Sequence, residues 1–165
     1  MKTGRLILFG GRPGVGKSTL ARALADRIGA VWLRIDSIEG ALAASTLAIT
    51  QAEDAGYAAA RAVAADNIRL GRDVIADAVN AEPFIRDWWA EMPREIGASL
   101  FTVEVICSDP ALHRARIEAR HAGDPRTPDW NRVTSRHYVP WEDADLRVDT
   151  AAEGNAVERI VAALP

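Results

Sequence analysis

The apolar residues of this chain follow two periods in turn. Arg5-Leu6-Ile7-Leu8-Phe9 is a short continuous apolar run that predicts a strand. From Thr19 to Ile28 the spacing changes. Leu20, Ala21, Leu24, Ala25 and Ile28 recur on one helical face, and Gly29 stands where such a helix would end. Val31 to Ile35 predicts a second strand ending at Asp36, and Ser37 to Ala44 a helix, with a polar break from Ser45 to Thr50. The alanine-rich stretch from Ala52 to Leu70 predicts a long helix stopped at Gly71. Asp73 to Ala76 predicts a third strand, with Asp77 at its carboxyl end.

The alternation continues to the last residues. Pro83 fits the first turn of a helix reaching about Ile96, and Gly97 closes it. Ser99 to Ile106 is β-branched and apolar, a fourth strand. Ser108-Asp109-Pro110 starts a helix from Ala111 to about His121. Gly123 to Pro128 reads as a loop, Asp129 to His137 as a short helix and Tyr138 to Ala144 as irregular chain. Asp145 to Val148 is a last strand and Asn155 to Leu164 a last helix. Strands alternating with helices predict an α/β domain, 1–165, with a parallel sheet covered on both faces. Ligands of such sheets bind beyond the carboxyl ends of the strands, which makes Gly10–Ser18, Asp36 and Asp77 neighbours.

The segment between the first strand and first helix carries the chemistry. Gly11, Gly16, Lys17 and Ser18 fit G-x-x-x-x-G-K-[ST], the phosphate-binding P-loop or Walker A motif. Glycines let successive backbone N–H groups turn inward toward phosphate oxygens, and the helix that follows aims its positive dipole end at them. Gly11, Pro13, Gly14, Val15, Gly16, Lys17, Ser18 and Thr19 are therefore the expected nucleotide-binding residues. Lys17 would reach the β- and γ-phosphates, and the Ser18 hydroxyl would ligate Mg²⁺.

Composition changes this picture little. The 165 residues are 48% hydrophobic and 26% charged, ordinary for a globular domain. A formal charge of −3 argues against non-specific nucleic-acid binding. The single cysteine, Cys107, rules out an internal disulfide, suits a reducing cytosol and is expected to be a buried, inert thiol. The first apolar run is too short for a secretory signal, and no stretch approaches a membrane span of about 20 apolar residues. A cytoplasmic monomer or homodimer is expected.

Other residues extend the site. Asp36 and Asp77 both follow apolar strands. A carboxylate there can hold Mg²⁺ or accept a proton from an attacking hydroxyl, and each could also cap the next helix. Asp36 is favoured as the base, and Asp77 as a metal-side or substrate carboxylate. Arg116 and Arg120 lie one helical turn apart beside the Gly123–Pro128 loop, which suits a lid closing over ATP, with a solvated basic helix face as the alternative. One guanidinium could stack on adenine while the other neutralises the transferring phosphoryl, and Arg120 joins Lys17 and Asp36 among the expected catalytic residues. Arg86 is a candidate substrate or phosphate contact, with surface charge as the alternative. His113, His121 and His137 have no metal-ligand spacing. Trp130 and Trp141 flank the lid region.

With these residues placed, the chain resembles the AAA-type P-loop kinases of small molecules and nucleic-acid ends. This group includes polynucleotide 5′-kinase, chloramphenicol phosphotransferase, zeta-toxin-like kinases and gluconate kinase. The resemblance runs through Gly10–Thr19, Asp36, Asp77-Ala78-Val79-Asn80, Arg116–Arg120 and Asp149-Thr150. It implies a five-stranded sheet ordered 2-3-1-4-5, a short lid at about 114–140, Mg·ATP as donor and Asp36 as the base toward a substrate hydroxyl. It also implies backbone recognition of adenine near Thr150 and Ala151, and places Asn80 with Asp77 at the substrate. The chain has no N-K-x-D segment of the kind GTPases use for base recognition. Polynucleotide kinases carry an arginine three residues after the second-strand aspartate, and here that residue is Glu39. Glu39 favours a neutral or amine-bearing acceptor over a phosphate-bearing one. The resulting expectation is an ATP-dependent kinase of a small hydroxyl-bearing molecule. The rivals are a 5′-hydroxyl kinase of nucleosides or nucleic-acid ends and an ATP-binding module without transfer.

Overall fold

The computed structural model describes residues 3–49, 51, 53–152 and 154–165. The predicted break reaching Thr50 and the predicted helix start at Ala52 fall on two positions outside these residues. Five parallel strands form the sheet: β1 (Arg5–Gly10), β2 (Val31–Arg34), β3 (Val74–Asp77), β4 (Ser99–Ile106) and β5 (Leu146–Asp149), in the order β2-β3-β1-β4-β5. The helices are α1 (Lys17–Ile28), α2 (Ile35–Ala44), α3 (Ala55–Arg69), α4 (Pro83–Glu95), α5 (Pro110–Gly123), α6 (Trp130–Ser135) and α7 (Ala156–Ala163).

The central strand shows why the sheet is covered on both sides. Leu6, Ile7, Leu8 and Phe9 are all fully buried. Successive side chains of a strand point to opposite faces. Ile7 and Phe9 accordingly enter a core with Leu20, Leu24 and Ile160 from α1 and α7. Leu6 and Leu8 enter the other core with Ala60, Ala64, Ile68 and Trp89 from α3 and α4. Burying a side chain of this size contributes about 1.5–3 kcal/mol, so the four residues of β1 anchor the two layers to each other.

The sheet register brings the carboxyl ends of the strands together. Phe9 pairs with Asp77, Asp77 with Arg34, Gly10 with Glu104 and Ile106 with Asp149. Most predicted elements stand where the periodicity put them. β4 spans Ser99–Ile106 as expected, and Gly29 caps α1 in the left-handed conformation at φ 67°. Most boundaries shift by one to three residues, and two of the differences bear on the site. Ile35 opens α2 instead of ending β2, because its side chain turns into the core at 2% exposure; Asp36 therefore lies in the first turn of a helix. The helix predicted to reach His137 stops at Ser135.

Candidate active site

The chain leaves β1 through Gly11 (φ 145°), passes Gly14 (φ 79°) and Gly16 (φ 96°), and enters α1 at Lys17. All three glycines occupy backbone conformations that favour glycine. A side chain on Gly11 would also run into the Val105 carbonyl oxygen, and one on Gly14 into Ile117 of α5. The loop is held from behind. Gly11 N–H donates to the Val79 carbonyl (3.0 Å), and the Thr150 hydroxyl donates to the Val15 carbonyl (2.6 Å).

A cleft of about 1040 Å³ opens over this loop. Pro13, Gly14, Gly16, Lys17, Ser18 and Thr19 line it, together with Asp36, Arg116, Arg120 and Thr150 from the other strand ends and from α5. Gly11 and Val15, also expected in the nucleotide site, are buried and do not line the cleft, so their part is to shape the loop. Lys17 is buried, with its ammonium 3.6 Å from Asp77 Oδ1. The other Asp77 oxygen accepts from the Trp32 indole N–H at 3.2 Å. Oδ1 has no hydrogen-bond partner among the described residues. A shielded carboxylate oxygen beside Lys17, with Ser18 on the cleft wall, fits a nucleotide-borne Mg²⁺ better than a metal held by protein alone. No cluster of three metal-ligating side chains occurs among the described residues.

Helix α5 serves the loop along one face. His113, Arg116, Ile117 and Arg120 recur at helical spacing. His113 is buried and its Nε2 lies 2.8 Å from the Pro13 carbonyl, which requires the proton on Nε2. Its ring meets Trp130 of α6 edge-on with centroids 5.2 Å apart. Arg116 Nη1 donates to the Thr150 hydroxyl (2.8 Å) and the Val15 carbonyl (3.4 Å), and so ties α5, the P-loop and the end of β5 together. Arg120 is exposed on the cleft wall. Cys107, expected to be buried, is half-buried.

The remaining candidates divide. Asp36 is exposed on the cleft, 3.4 Å from Arg34 Nη2. Glu39 is half-buried against Gly56 of α3, where a β-carbon would come within 2.6 Å of its Cγ, and it does not line the cleft. Burial and the nearby Asp36 raise its carboxyl above the usual range, while Arg136 pulls it down. Tyr57 beside it is pushed up to about 12, chiefly by burial. Asn80 and Arg86, expected at the substrate, are placed elsewhere. Asn80 is fully buried at φ 47°, and its side-chain amide donates to the Phe9 carbonyl at 2.6 Å. Arg86 is 6% exposed and donates to the carbonyls of Asn80 (2.8 Å), Ala81, Val139 and Pro140. A guanidinium that gives four of its five N–H groups to carbonyls acts as a structural clamp.

The clamp belongs to an arrangement that the periodicity does not reveal. Residues 136–141 form an irregular strap between α6 and β5. Glu104 of β4, 1% exposed, accepts from the Tyr138 hydroxyl (2.9 Å), the Trp141 N–H (2.8 Å) and Arg147 Nε (2.6 Å). Arg86 lies over both the Trp141 and Tyr138 rings. Arg12 of the P-loop covers Tyr138 and donates to the Arg136 carbonyl at 3.0 Å. One signal was available: a glutamate within the apolar run Val103-Glu104-Val105 must be paired if the strand is buried.

Comparison with known proteins agrees with this architecture. The chain superposes on the APS kinase CysC of Mycobacterium tuberculosis, solved with AMPPNP and APS, with a TM-score of 0.76 at 17% identity, covering 99% of this chain and 98% of that one. A gluconokinase from Sinorhizobium meliloti 1021 matches with a TM-score of 0.66 at 17% identity over 99% and 93% of the two chains. A sugar kinase from Janibacter sp. HTCC2649 gives 0.69 at 17% identity over 96% and 93%. Likenesses at this identity establish the fold. No curated protein matches the sequence significantly. No helix among the described residues is long and apolar enough to cross a membrane. The model of the AAA domain family matches residues 6–139. The chain belongs to the AAA domain family and has the fold of the P-loop small-molecule kinases.

Proposed function

We propose that this protein is an ATP-dependent kinase that transfers the γ-phosphate of Mg·ATP to a hydroxyl of a small molecule. The observation that carries this reading is the single cleft shared by the P-loop, the exposed Asp36 carboxylate and the Arg116–Arg120 face of α5. The triphosphate lies on Gly14–Thr19, with Lys17 at its β- and γ-phosphates and adenine toward Thr150 and Ala151. Mg²⁺, held by Ser18 and by Asp77 directly or through water, supplies charge neutralisation on the phosphates when bound. Asp36 Oδ takes the proton of the acceptor hydroxyl. The acceptor oxygen bonds to the γ-phosphorus, the bond from phosphorus to the β,γ-bridging oxygen breaks, and ADP leaves with that oxygen. Arg120 stabilises charge on the transferring phosphoryl, and Arg116 holds the wall against which it works. Residues 114–140 act as the lid of one domain. A cytoplasmic setting, where Mg·ATP is abundant, and a monomeric or homodimeric state accompany this reading.

The AMPPNP bound to the APS kinase relative supports the nucleotide assignment, and the kinase relatives support transfer to small molecules. The test is a transfer screen with γ-labelled ATP against hydroxyl-bearing metabolites, antibiotics and oligonucleotide ends. Label on one class of small alcohol, with equimolar ADP, is the expected result. Nucleotide binding without labelled product from any acceptor would instead favour an ATP-binding module.

A further inference from the structure

The cleft is far more cationic than a nucleotide site alone explains. Lys17 and six arginines (34, 116, 120, 126, 132 and 136) line it, against two carboxylates, Asp36 and Glu158. Several of these charges are already engaged. Glu158 pairs with Arg27 at 3.1 Å, Arg126 with Asp124 at 2.9 Å, and Arg116 is tied to Thr150. Lys17, Arg116 and Arg120 stand on or beside the P-loop. Arg34 and Arg136 stand at the other side, around Asp36.

Three observations fix that placement. Arg34 is the last residue of β2, two residues before Asp36, and its Nη2 lies 3.4 Å from the Asp36 carboxylate. Arg34 and Asp36 both line the cleft. Arg136 lines the same cleft as Arg34 and Asp36, and its charge, like that of Asp36, acts on Glu39 and Tyr57. The Arg136 guanidinium has no carboxylate partner within bonding distance among the described residues. Its backbone, in contrast, is held firmly: Arg12 bonds its carbonyl, and the residues after it are clamped by Glu104 and Arg86. The backbone is thus anchored while the guanidinium stays free to take up a ligand.

We infer that the acceptor is an anionic alcohol whose phosphate, sulfate or carboxylate group is bound by Arg34 and Arg136, setting its hydroxyl against Asp36. Arg34 and Arg136 are the specificity-determining residues. This deepens the kinase reading and rests on it. It also replaces the neutral or amine-bearing acceptor suggested by Glu39, whose side chain packs on α3 rather than facing the cleft. Planar guanidiniums match oxyanions in paired hydrogen bonds, and Arg34 already shares its charge with Asp36, so a neutral alcohol would leave Arg136 without a counter-charge.

The test uses the full chain loaded with Mg²⁺ and a non-hydrolysable ATP analogue, which occupies the P-loop. Inorganic sulfate is then titrated by calorimetry into wild type, Arg34→Gln and Arg136→Gln. Each substitution is expected to weaken sulfate about tenfold, one charge-assisted hydrogen bond, with the analogue's affinity held within about twofold. No sulfate binding to the loaded wild type, or equal binding in all three proteins, overturns the proposal. A second arm compares transfer to matched alcohols: hydroxy acids and phosphorylated or sulfated alcohols, their neutral counterparts, and amino alcohols. Transfer confined to neutral or amino alcohols, insensitive to both substitutions, also overturns it. If no alcohol is phosphorylated yet sulfate binding still depends on Arg34 and Arg136, the kinase reading fails while the anion site stands.

Discussion

At the scale of single residues, the P-loop glycines are constrained by what lies behind them as well as by φ. Gly11 faces backbone, the Val105 carbonyl, while Gly14 faces the movable end of a side chain, Ile117. Gly11→Ala is therefore expected to cost more stability than Gly14→Ala, by at least about 1 kcal/mol. Denaturant unfolding of the two variants measures the order, and equal losses would show that the loop yields elsewhere. Glu39 offers a test with a definite sign. Its carboxyl is raised from an ordinary value of 4.5 by burial and by Asp36. The folded state thus binds that proton more tightly than the unfolded chain. The resulting stability is present below the unfolded pKa and is lost as pH rises through the folded one. Glu39→Gln should raise the melting temperature at neutral pH, and the gain should vanish in acid, in a pair of melting curves taken across that window. A gain that persists at low pH would mean the carboxylate is not the cause.

At the scale of elements, α5 is the helix that converts a loop into a site. His113 bonds the Pro13 carbonyl and packs on Trp130, Ile117 fills the space beside Gly14, and Arg116 reaches Thr150. Truncating His113 to alanine removes one buried hydrogen bond and a ring contact. It should lower stability by about 1–3 kcal/mol and weaken ATP more than any acceptor, as calorimetry would read. Unchanged ATP affinity would leave His113 a packing residue only. Much of this was legible in advance. The short apolar run Leu6–Phe9 and the β-branched stretch Ser99–Ile106 read as strands, and the spacing of Arg116 and Arg120 sets a helical face. Other features were hidden for physical reasons. Ile35 is apolar whether it ends a strand or opens a helix. Arg86 and Asn80 look like site residues beside Asp77, and only the tertiary fold shows the carbonyls they serve. Arg136 sits where no period operates, so its place at the cleft depends wholly on distant anchors.

At the scale of the whole molecule, the sheet edge collects the chemistry while a buried carboxylate holds the strap that completes the cleft. Glu104 bonds Tyr138, Trp141 and Arg147 from a fully buried position. Its removal leaves the Trp141 N–H and the Tyr138 hydroxyl without their acceptor, at a cost of about 1–3 kcal/mol each. Glu104→Ala should lower stability by that order in denaturant titration and, in the fraction that stays folded, raise KM for the acceptor more than KM for ATP. Parallel increases in both constants would detach the strap from acceptor binding. The most direct measurement of the central claim is a comparison of wild type with Asp36→Asn, recording Mg·ATP affinity and single-turnover phosphoryl transfer to the acceptor on the same preparations. The account predicts unchanged affinity and a transfer rate lower by about 10²–10⁴-fold, the range for loss of a positioned base. Transfer at the wild-type rate in Asp36→Asn would contradict it.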